Sequence, residues 1–144
     1  MHNNDIMQPT RRDLALLIPA LAAAQTKSDV TIPSTAWPYD RLESHKSGPG
    51  TGRNVFNGTT HTGYHVDMHI TELPQGEAPH APHHHVHEEM VFVFEGALDV
   101  TINGKTTRIG KGGTAYVASN EEHGWRAAPD GPAKYFVTAL GRDS

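Results

Sequence analysis

The sequence predicts an all-β protein, a sandwich or barrel of seven or eight short strands. From residue 53 onward, apolar and polar residues alternate in short runs, as they do in strands with one buried face. Clusters of Gly, Pro, Asn and Asp end these runs at a spacing of roughly ten residues. No convincing helical pattern appears after residue 24.

Length and composition fit one globular domain. The chain has 144 residues, of which 36% are hydrophobic and 19% charged, and its formal net charge is −4. It lacks a long basic run, so we expect no nucleic-acid partner. It has no cysteine, which excludes disulfides, thiolate ligands and a cysteine nucleophile. Histidine and carboxylate are left as the strong metal ligands.

Residues 1–24 have the order of an export signal. A pair of arginines after Thr10 precedes an apolar run from Leu14 to Ala24, which ends in three alanines suited to cleavage. The paired arginines resemble a twin-arginine signal, and the apolar run is shorter than the roughly 20 residues that cross a bilayer. We therefore expect an exported, periplasmic or extracytoplasmic protein with no membrane span after cleavage. The alternative is an amphipathic N-terminal helix of the folded domain.

Residues 25–58 are predicted to form an N-terminal arm, followed by the barrel at residues 59–141. Proline and glycine interrupt the arm up to residue 52, and only residues 30–32 could add an edge strand. Trp37 and Tyr39 flank Pro38, and we expect them to hold the arm against the barrel. The tip of the arm could instead pack against a second subunit, and we expect a homodimer.

The barrel strands are predicted at residues 64–73, 90–94, 98–102, 105–109, 114–118, 123–127 and 134–139. The first alternates, with Tyr64, Val66, Met68 and Ile70 on one face and His65, Asp67, His69 and Thr71 on the other. Residues 90–94 are apolar at every position, which predicts a strand buried on both faces. Asn103-Gly104 predicts the tight turn of a hairpin.

Histidines are concentrated just before the second of these strands. Five of the eleven lie within residues 80–87, and Glu88 and Glu89 follow at once. Imidazole and carboxylate are ligands of divalent transition metals, so the run predicts a mononuclear metal site. His83 and His85 project to the same side of an extended chain, about 6.6 Å apart, and can converge on one ion.

Glu89 has the same parity as these histidines but lies about 13 Å further along a straight strand. We therefore predict a bend over residues 86–88 that brings Glu89 back toward them. His84 then points to solvent. His87, at the bend, and Glu88, of opposite parity, are less favoured as ligands.

One further ligand is expected from a distant part of the chain. His123 is the only histidine downstream of the cluster, and it stands at the start of a predicted strand. A lone histidine in such a place is usually a surface or structural residue.

The spacing of the clustered residues resembles the first motif of the cupin family. His83-x-His85, three residues, Glu89, six residues and Gly96 match that motif without a gap. Its leading glycine is Gly76, one residue further upstream than in the commonest form.

The second cupin motif is matched by Gly112 and His123 at the expected spacing. It departs where Ala118, Asn120 and Ala127 replace Pro, Gly and Asn. Asn tolerates the left-handed backbone that Gly usually provides, so the turn can be kept.

The resemblance implies a double-stranded β-helix of the jelly-roll kind, with His83, His85, Glu89 and His123 around one divalent ion. The ion would be iron, manganese, nickel, copper or zinc. The alternative is a degenerate cupin whose pocket is empty.

Strand parity indicates which residues could wall a pocket beside this ion. The candidates are Met68, His69, Val91, Val93, Tyr116, Trp125 and Phe136. His69 and His80 could also act as acid–base groups, although a solvated or structural histidine is the commoner case. Glu121 and Glu122 are expected at the rim, in solvent.

Three functions fit such a site. We prefer a metalloenzyme acting on a small organic molecule, with dioxygenase chemistry first, because three histidines and one glutamate leave coordination positions for dioxygen or a bidentate substrate. The second is an isomerase or lyase in which the ion is a Lewis acid. The third is a non-catalytic module that captures a ligand or stores metal. Zinc as the native metal would favour the last two, and the fold alone cannot decide.

Overall fold

The computed structural model describes residues 30–141, which form nine strands and one short 3-10 turn at Tyr39–Arg41. The predicted export signal lies outside the described residues. The strands are β1 Ser44–Ser47, β2 Gly50–Thr59, β3 His65–Leu73, β4 Glu88–Glu95, β5 Ala97–Ile102, β6 Lys105–Gly110, β7 Thr114–Val117, β8 His123–Ala127 and β9 Ala133–Leu140. No helix in the described residues is long and apolar enough to cross a bilayer.

Two antiparallel sheets face each other, as in a jelly roll. The larger has the strand order β1-β2-β3-β9-β4-β7, and the smaller has the order β6-β5-β8. The predicted all-β jelly-roll fold is therefore confirmed.

The core lies between the two sheets. Its buried members are Leu73, Val91, Val93, Leu98, Val100, Trp125, Ala127, Ala133, Tyr135 and Val137. The indole Nε1 of Trp125, on the smaller sheet, donates a hydrogen bond of 2.9 Å to the hydroxyl of Tyr135 on the larger one. Burial raises the pKa of Tyr135 to about 12, so this hydroxyl stays neutral and ties the sheets together.

In two turns the backbone adopts the conformation that the residues there favour. Asn103 and Gly104 both have positive φ, 48° and 78°, as the tight turn between β5 and β6 requires. Gly96, with φ of 70°, joins β4 to β5 where a Cβ atom would lie 2.0 Å from the carbonyl oxygen of Pro132. Only glycine fits at position 96, which explains why the first motif ends in glycine there.

The prediction that residues 90–94 are buried on both faces is wrong. Val91 and Val93 are fully buried, whereas Met90 and Phe92 are 40% and 46% exposed. The barrel supplies one covering layer, and the outer face of β4 has none over these two side chains. An apolar run cannot distinguish a second layer from an exposed apolar patch.

The arm is more regular than the sequence indicated. Residues 44–59 form the hairpin β1–β2, and β2 pairs with β3 along its length, so the large sheet begins before residue 59. Residues 30–32 contribute one isolated bridge, between Thr31 and Thr59. The sequence does not indicate this hairpin, because glycines usually mark loops. Here the glycines instead allow neighbouring chain segments to approach closely.

Trp37 and Tyr39 hold the arm on the outer face of the large sheet, as expected. The ring of Trp37 lies 5.0 Å from that of Phe56. Tyr39 lies 4.8 Å from the guanidinium of Arg53 and 4.9 Å from the ammonium of Lys134, measured to its ring centre. These contacts leave an apolar cavity of about 280 Å³ beneath the arm.

Candidate metal centre

The backbone brings the histidine cluster to the start of β8. His83 and His123 form an isolated antiparallel bridge, with N–H to carbonyl distances of 3.0 and 2.9 Å in the two directions. The carbonyl of His85 accepts a hydrogen bond of 2.7 Å from the amide of Asn120. Asn120 has φ of 63°, the left-handed conformation predicted for it. These bonds align two segments that lie nearly forty residues apart.

Three imidazole rings meet at this junction. The ring centres of His83, His85 and His123 are separated by 4.8 to 5.0 Å. One ring nitrogen from each lies within 4.8 Å of the others, which is close enough to hold one ion. His123 is 1% exposed, and the other two are partly buried.

Glu89 reaches the same place because the chain bends at Val86 and His87, within the predicted span. Its Oε2 atom lies 3.1 Å from Nε2 of His123 and 3.5 Å from Nε2 of His85. Glu89, at the start of β4, therefore lies beside two of the three histidines of the bridged segments.

Hydrogen bonds to backbone carbonyls define how two of these rings are presented. Nδ1 of His85 donates to the carbonyl of His87, and Nδ1 of His123 donates to the carbonyl of Glu121, both at 2.8 Å. A neutral ring has one N–H, so Nε2 of each ring carries a lone pair. Both lone pairs therefore face the carboxylate of Glu89, and a cation or an additional proton must lie between these acceptors.

The remaining ring nitrogens fit a cation. Nδ1 of His83 and Nε2 of His85 are buried and have no hydrogen-bond partner. Burial lowers the pKa of His83, and the neighbouring His80, His123 and His85 lower it further, which favours the neutral ring that binds metal. The donor set of three imidazoles and one carboxylate suits a divalent transition ion.

His87, a less favoured ligand, lies closer to the centre than expected. Its ring stacks on that of His85 at 3.5 Å, and its Nε2 atom is 3.7 Å from Oε1 of Glu89. His85, His87 and Glu89 form a second group able to approach one ion. The sequence could have identified His87 as a ligand candidate, because it occupies every second position together with His83, His85 and Glu89.

The other members of the cluster lie outside the centre. His84 is exposed, as expected, and Glu88 accepts a hydrogen bond from Tyr116 that raises the pKa of this tyrosine. His80 is exposed, but the centre of its ring lies 4.4 Å from the centre of the His83 ring. Glu122 is exposed, and the half-buried Glu121 accepts a hydrogen bond from Asn103.

Strand register separates the pocket candidates by face. Neighbours across a sheet share a face, and those next to each other along a strand do not. Val91 and Val93 point into the core with Tyr135 and Val137, and His69 pairs with Val137 and shares that face. The ring of Trp125 stacks 5.8 Å from that of His123, inside the barrel.

The prediction that Met68, Tyr116 and Phe136 wall the pocket is wrong. Phe136 alternates with buried neighbours in β9 and lines the apolar cavity under the arm. Met68 pairs with Thr138 on that same outer side, and Tyr116 is 54% exposed. Parity assigns two faces to a strand, but the sequence did not show which face is covered by the arm.

Comparison with known proteins agrees with this architecture. Residues 69–139 match a family model described as a cupin domain. No curated protein sequence matches the chain significantly. Among solved structures, an RmlC-like cupin from Shewanella frigidimarina is similar at 17% identity and a TM-score of 0.63, covering 78% of this chain and 95% of its own.

Two further structures are similar to the same extent. KdgF from a Halomonas species has 16% identity and a TM-score of 0.65, covering 77% of this chain and 97% of its own. The polyketide cyclase RemF from Streptomyces resistomycificus has 17% identity and a TM-score of 0.60, with coverage of 74% and 78%. At these identities the similarity shows the fold alone.

Proposed function

We propose that this chain, whose residues 69–139 match a cupin-domain model, is a mononuclear metalloenzyme acting on a small organic molecule. One observation carries the proposal: Nε2 of His123 and Nε2 of His85 present lone pairs to the same oxygen of Glu89. A divalent cation placed among these atoms would be coordinated by both rings and by the carboxylate.

His83, His85, Glu89 and His123 would hold the ion. When bound, it would supply a Lewis acid and, if it is redox-active, a centre for dioxygen chemistry. The protein's own residues fix the ring orientations through the carbonyls of His87 and Glu121. The side chains of Glu89 and His123 are only 11% and 0% exposed, so bulk water is largely excluded from this side of the centre.

Dioxygenase chemistry is our first candidate, since a site with four protein ligands leaves positions for a bidentate substrate. The second candidate is an isomerase or lyase, and Asp67 and His69 favour it. These two side chains form a hydrogen-bonded pair on the inner face, and proton transfer needs such a group.

The native metal separates these candidates. We would isolate the full chain from its host without chelators and determine its metal by elemental analysis. Iron, manganese, copper or nickel near one ion per chain, with oxygen consumption on substrate screening, would support the first candidate. Zinc without oxygen consumption would support the second. Absence of metal would refute both and leave a non-catalytic module.

We also propose that the protein is exported, on the basis of the arginine pair and apolar run in residues 1–24. N-terminal sequencing of the protein from its host should begin after Ala24 and near Gln25. An intact N-terminus on cytoplasmic protein would contradict export.

A further inference from the structure

The chain segment that precedes the histidine cluster runs beside β8 and is held to it at two points. At one point the amide of Ala127 donates to the carbonyl of Glu77 at 2.9 Å. At the other, His83 and His123 form the antiparallel bridge. Between these points β8 contributes three residues, 124–126, whereas the segment contributes five, 78–82. The two additional residues make the loop of residues 78–82 bend away from the strand.

A proline explains why regular pairing stops. Continued from the bridge, an antiparallel ladder would set Ala81 opposite Trp125 and Pro79 opposite Ala127. Proline has no N–H to donate, so this ladder cannot be completed. The carbonyl of Ala81, which would accept from the amide of Trp125, accepts instead from Nδ1 of His80 at 2.9 Å.

The backbone amide and carbonyl of Trp125 are consequently left at an open edge. Backbone hydrogen bonds join residue 122 to Asn103 and residue 128 to Ala97, so the even-numbered residues here face β5. Trp125 faces the other edge, toward the loop. Among the described residues, none bonds to its N–H or its carbonyl. A donor and an acceptor therefore point side by side into the gap between strand and loop.

This gap opens into a cavity of about 590 Å³, about twice the volume of the cavity under the arm. Gly124 deepens it, because this residue has no side chain and a Cβ atom there would lie 3.3 Å from Pro82. On the loop side the cavity is lined by Ala78, Ala81 and Pro82. One wall is therefore apolar.

The opposite wall is polar and consists of outward-facing side chains of the small sheet. The hydroxyls of Thr101 and Thr106 lie 2.8 Å apart, and this bond uses only one of their two protons. Asp99 accepts hydrogen bonds of 2.8 and 3.0 Å from Arg108, and it is the cross-strand neighbour of the exposed Arg126. This wall therefore offers hydroxyl, carboxylate and guanidinium groups together.

We propose that the cavity between β8 and the loop of residues 78–82 is a binding site for a neutral sugar. Adjacent hydroxyls of a sugar ring supply the acceptor and the donor that the N–H and carbonyl of Trp125 require. The remaining hydroxyls reach the polar wall, and the C–H face of the ring packs against the apolar one. A simple amide would pair with Trp125 but leave the polar wall unused. The site uses no side chain of the metal centre, so it does not depend on metal binding.

Hydrogen exchange at the Trp125 amide tests the proposal at the atom concerned. The full chain is used with zinc added, because zinc is diamagnetic and preserves nearby resonances. In the free protein this amide should exchange faster than the amides of His123 and Ala127, which are hydrogen-bonded. The probes are the methyl glycosides of glucose, galactose, mannose and xylose. At least one should slow the exchange and shift the amide resonance, and titration of that shift gives its affinity.

Variants of the polar wall show whether the bound molecule uses it. Thr106→Val and Arg126→Gln each remove a donor, and each should weaken binding of that glycoside about three- to ten-fold, the effect of one hydrogen bond. Thr107→Val is the matched control, because Thr107 pairs with Val100 and lies on the other face of β6. It should leave the affinity unchanged.

Four results would overturn the proposal. The first is a Trp125 amide that is already protected in the free protein, and the second is a lack of response to all four glycosides. The third is an affinity that neither Thr106→Val nor Arg126→Gln reduces. The fourth is slowed exchange with acetamide alone, which would identify an amide site instead.

Discussion

The Nε2 atom of His123 lies 3.1 Å from Oε2 of Glu89, although 34 residues separate them along the chain. His123 begins β8 in the small sheet, and Glu89 lies near the start of β4 in the large one. The candidate metal centre therefore joins the two sheets of the barrel. Loss of either residue should affect both metal binding and the union of the sheets.

Replacement of His123 by Ala should weaken metal binding severely. It removes a direct ligand, so the loss should exceed the roughly 10–100-fold that a supporting residue costs. Metal affinity would be measured by competition with a chromophoric chelator. His84→Ala is the matched control, because His84 belongs to the same cluster but is exposed. Equal affinities in the two variants would contradict the ligand assignment.

Removal of metal should lower the melting temperature. Ligands from separate segments bind together only in the folded chain, so a free metal concentration 100-fold above Kd adds about 2.7 kcal/mol to the free energy of unfolding. For a domain of this size the shift is on the order of 10 °C. Calorimetry with and without EDTA measures it. His123→Ala should show no such response, and a wild type insensitive to EDTA would rule out metal stabilisation.

Glu72 should make stability depend on pH on the acid side. The largest influence on the pKa of Glu72 is a hydrogen bond from the Tyr39 hydroxyl. Together with Lys134 and Arg53, this bond holds the pKa of Glu72 below 4.5. A carboxyl with a lowered folded-state pKa stabilises above its unfolded pKa, and the contribution is lost as pH falls through the folded value. The difference in melting temperature between wild type and Glu72→Gln should thus be constant near neutrality and shrink below about pH 4.5. The exposed Glu43→Gln is the comparison, and a gap between wild type and Glu72→Gln that widens in acid would contradict the assignment.

The hydrogen bond between Trp125 and Tyr135 should contribute measurably to stability. Trp125→Phe leaves a buried hydroxyl with one partner fewer, at a cost of about 1–3 kcal/mol in addition to any packing change. Tyr135→Phe and the double variant complete a cycle in urea unfolding. We expect a coupling energy of about 1 kcal/mol. Strict additivity of the two single changes would show that the bond contributes nothing.

We expect the protein to form a homodimer through the exposed apolar residues of the large sheet. Met90, Phe92 and Tyr116 are 40%, 46% and 54% exposed on one side of neighbouring strands. Phe92→Lys would place a charge among them and should convert dimer to monomer in light scattering. Tyr64→Lys changes a side chain that is 61% exposed elsewhere and should leave the mass unchanged. A wild type that is already monomeric would refute the assembly.

Local patterns were enough to predict most elements of the barrel. The turn at Asn103-Gly104 and the left-handed Asn120 depend on backbone preferences of single residues, which act wherever those residues occur. The bend before Glu89 followed from reach alone, because a straight strand could not bring the carboxylate to His85. The hairpin of residues 44–59 could not be predicted, because its glycines are set by close contacts with chain segments that are distant in sequence.

The sequence by itself determined the alternation of strands and the type and spacing of the candidate ligands, since these depend on contacts within a few residues. Only the tertiary structure decided which face of each strand is inside. It set Phe136 under the arm, turned Met90 to solvent, and placed Asp67 and His69 across Ala139 and Val137 from the metal centre. The reason is that side chains alternate between the two faces of a strand whichever face is buried. Which face is buried depends on what the rest of the chain packs against it.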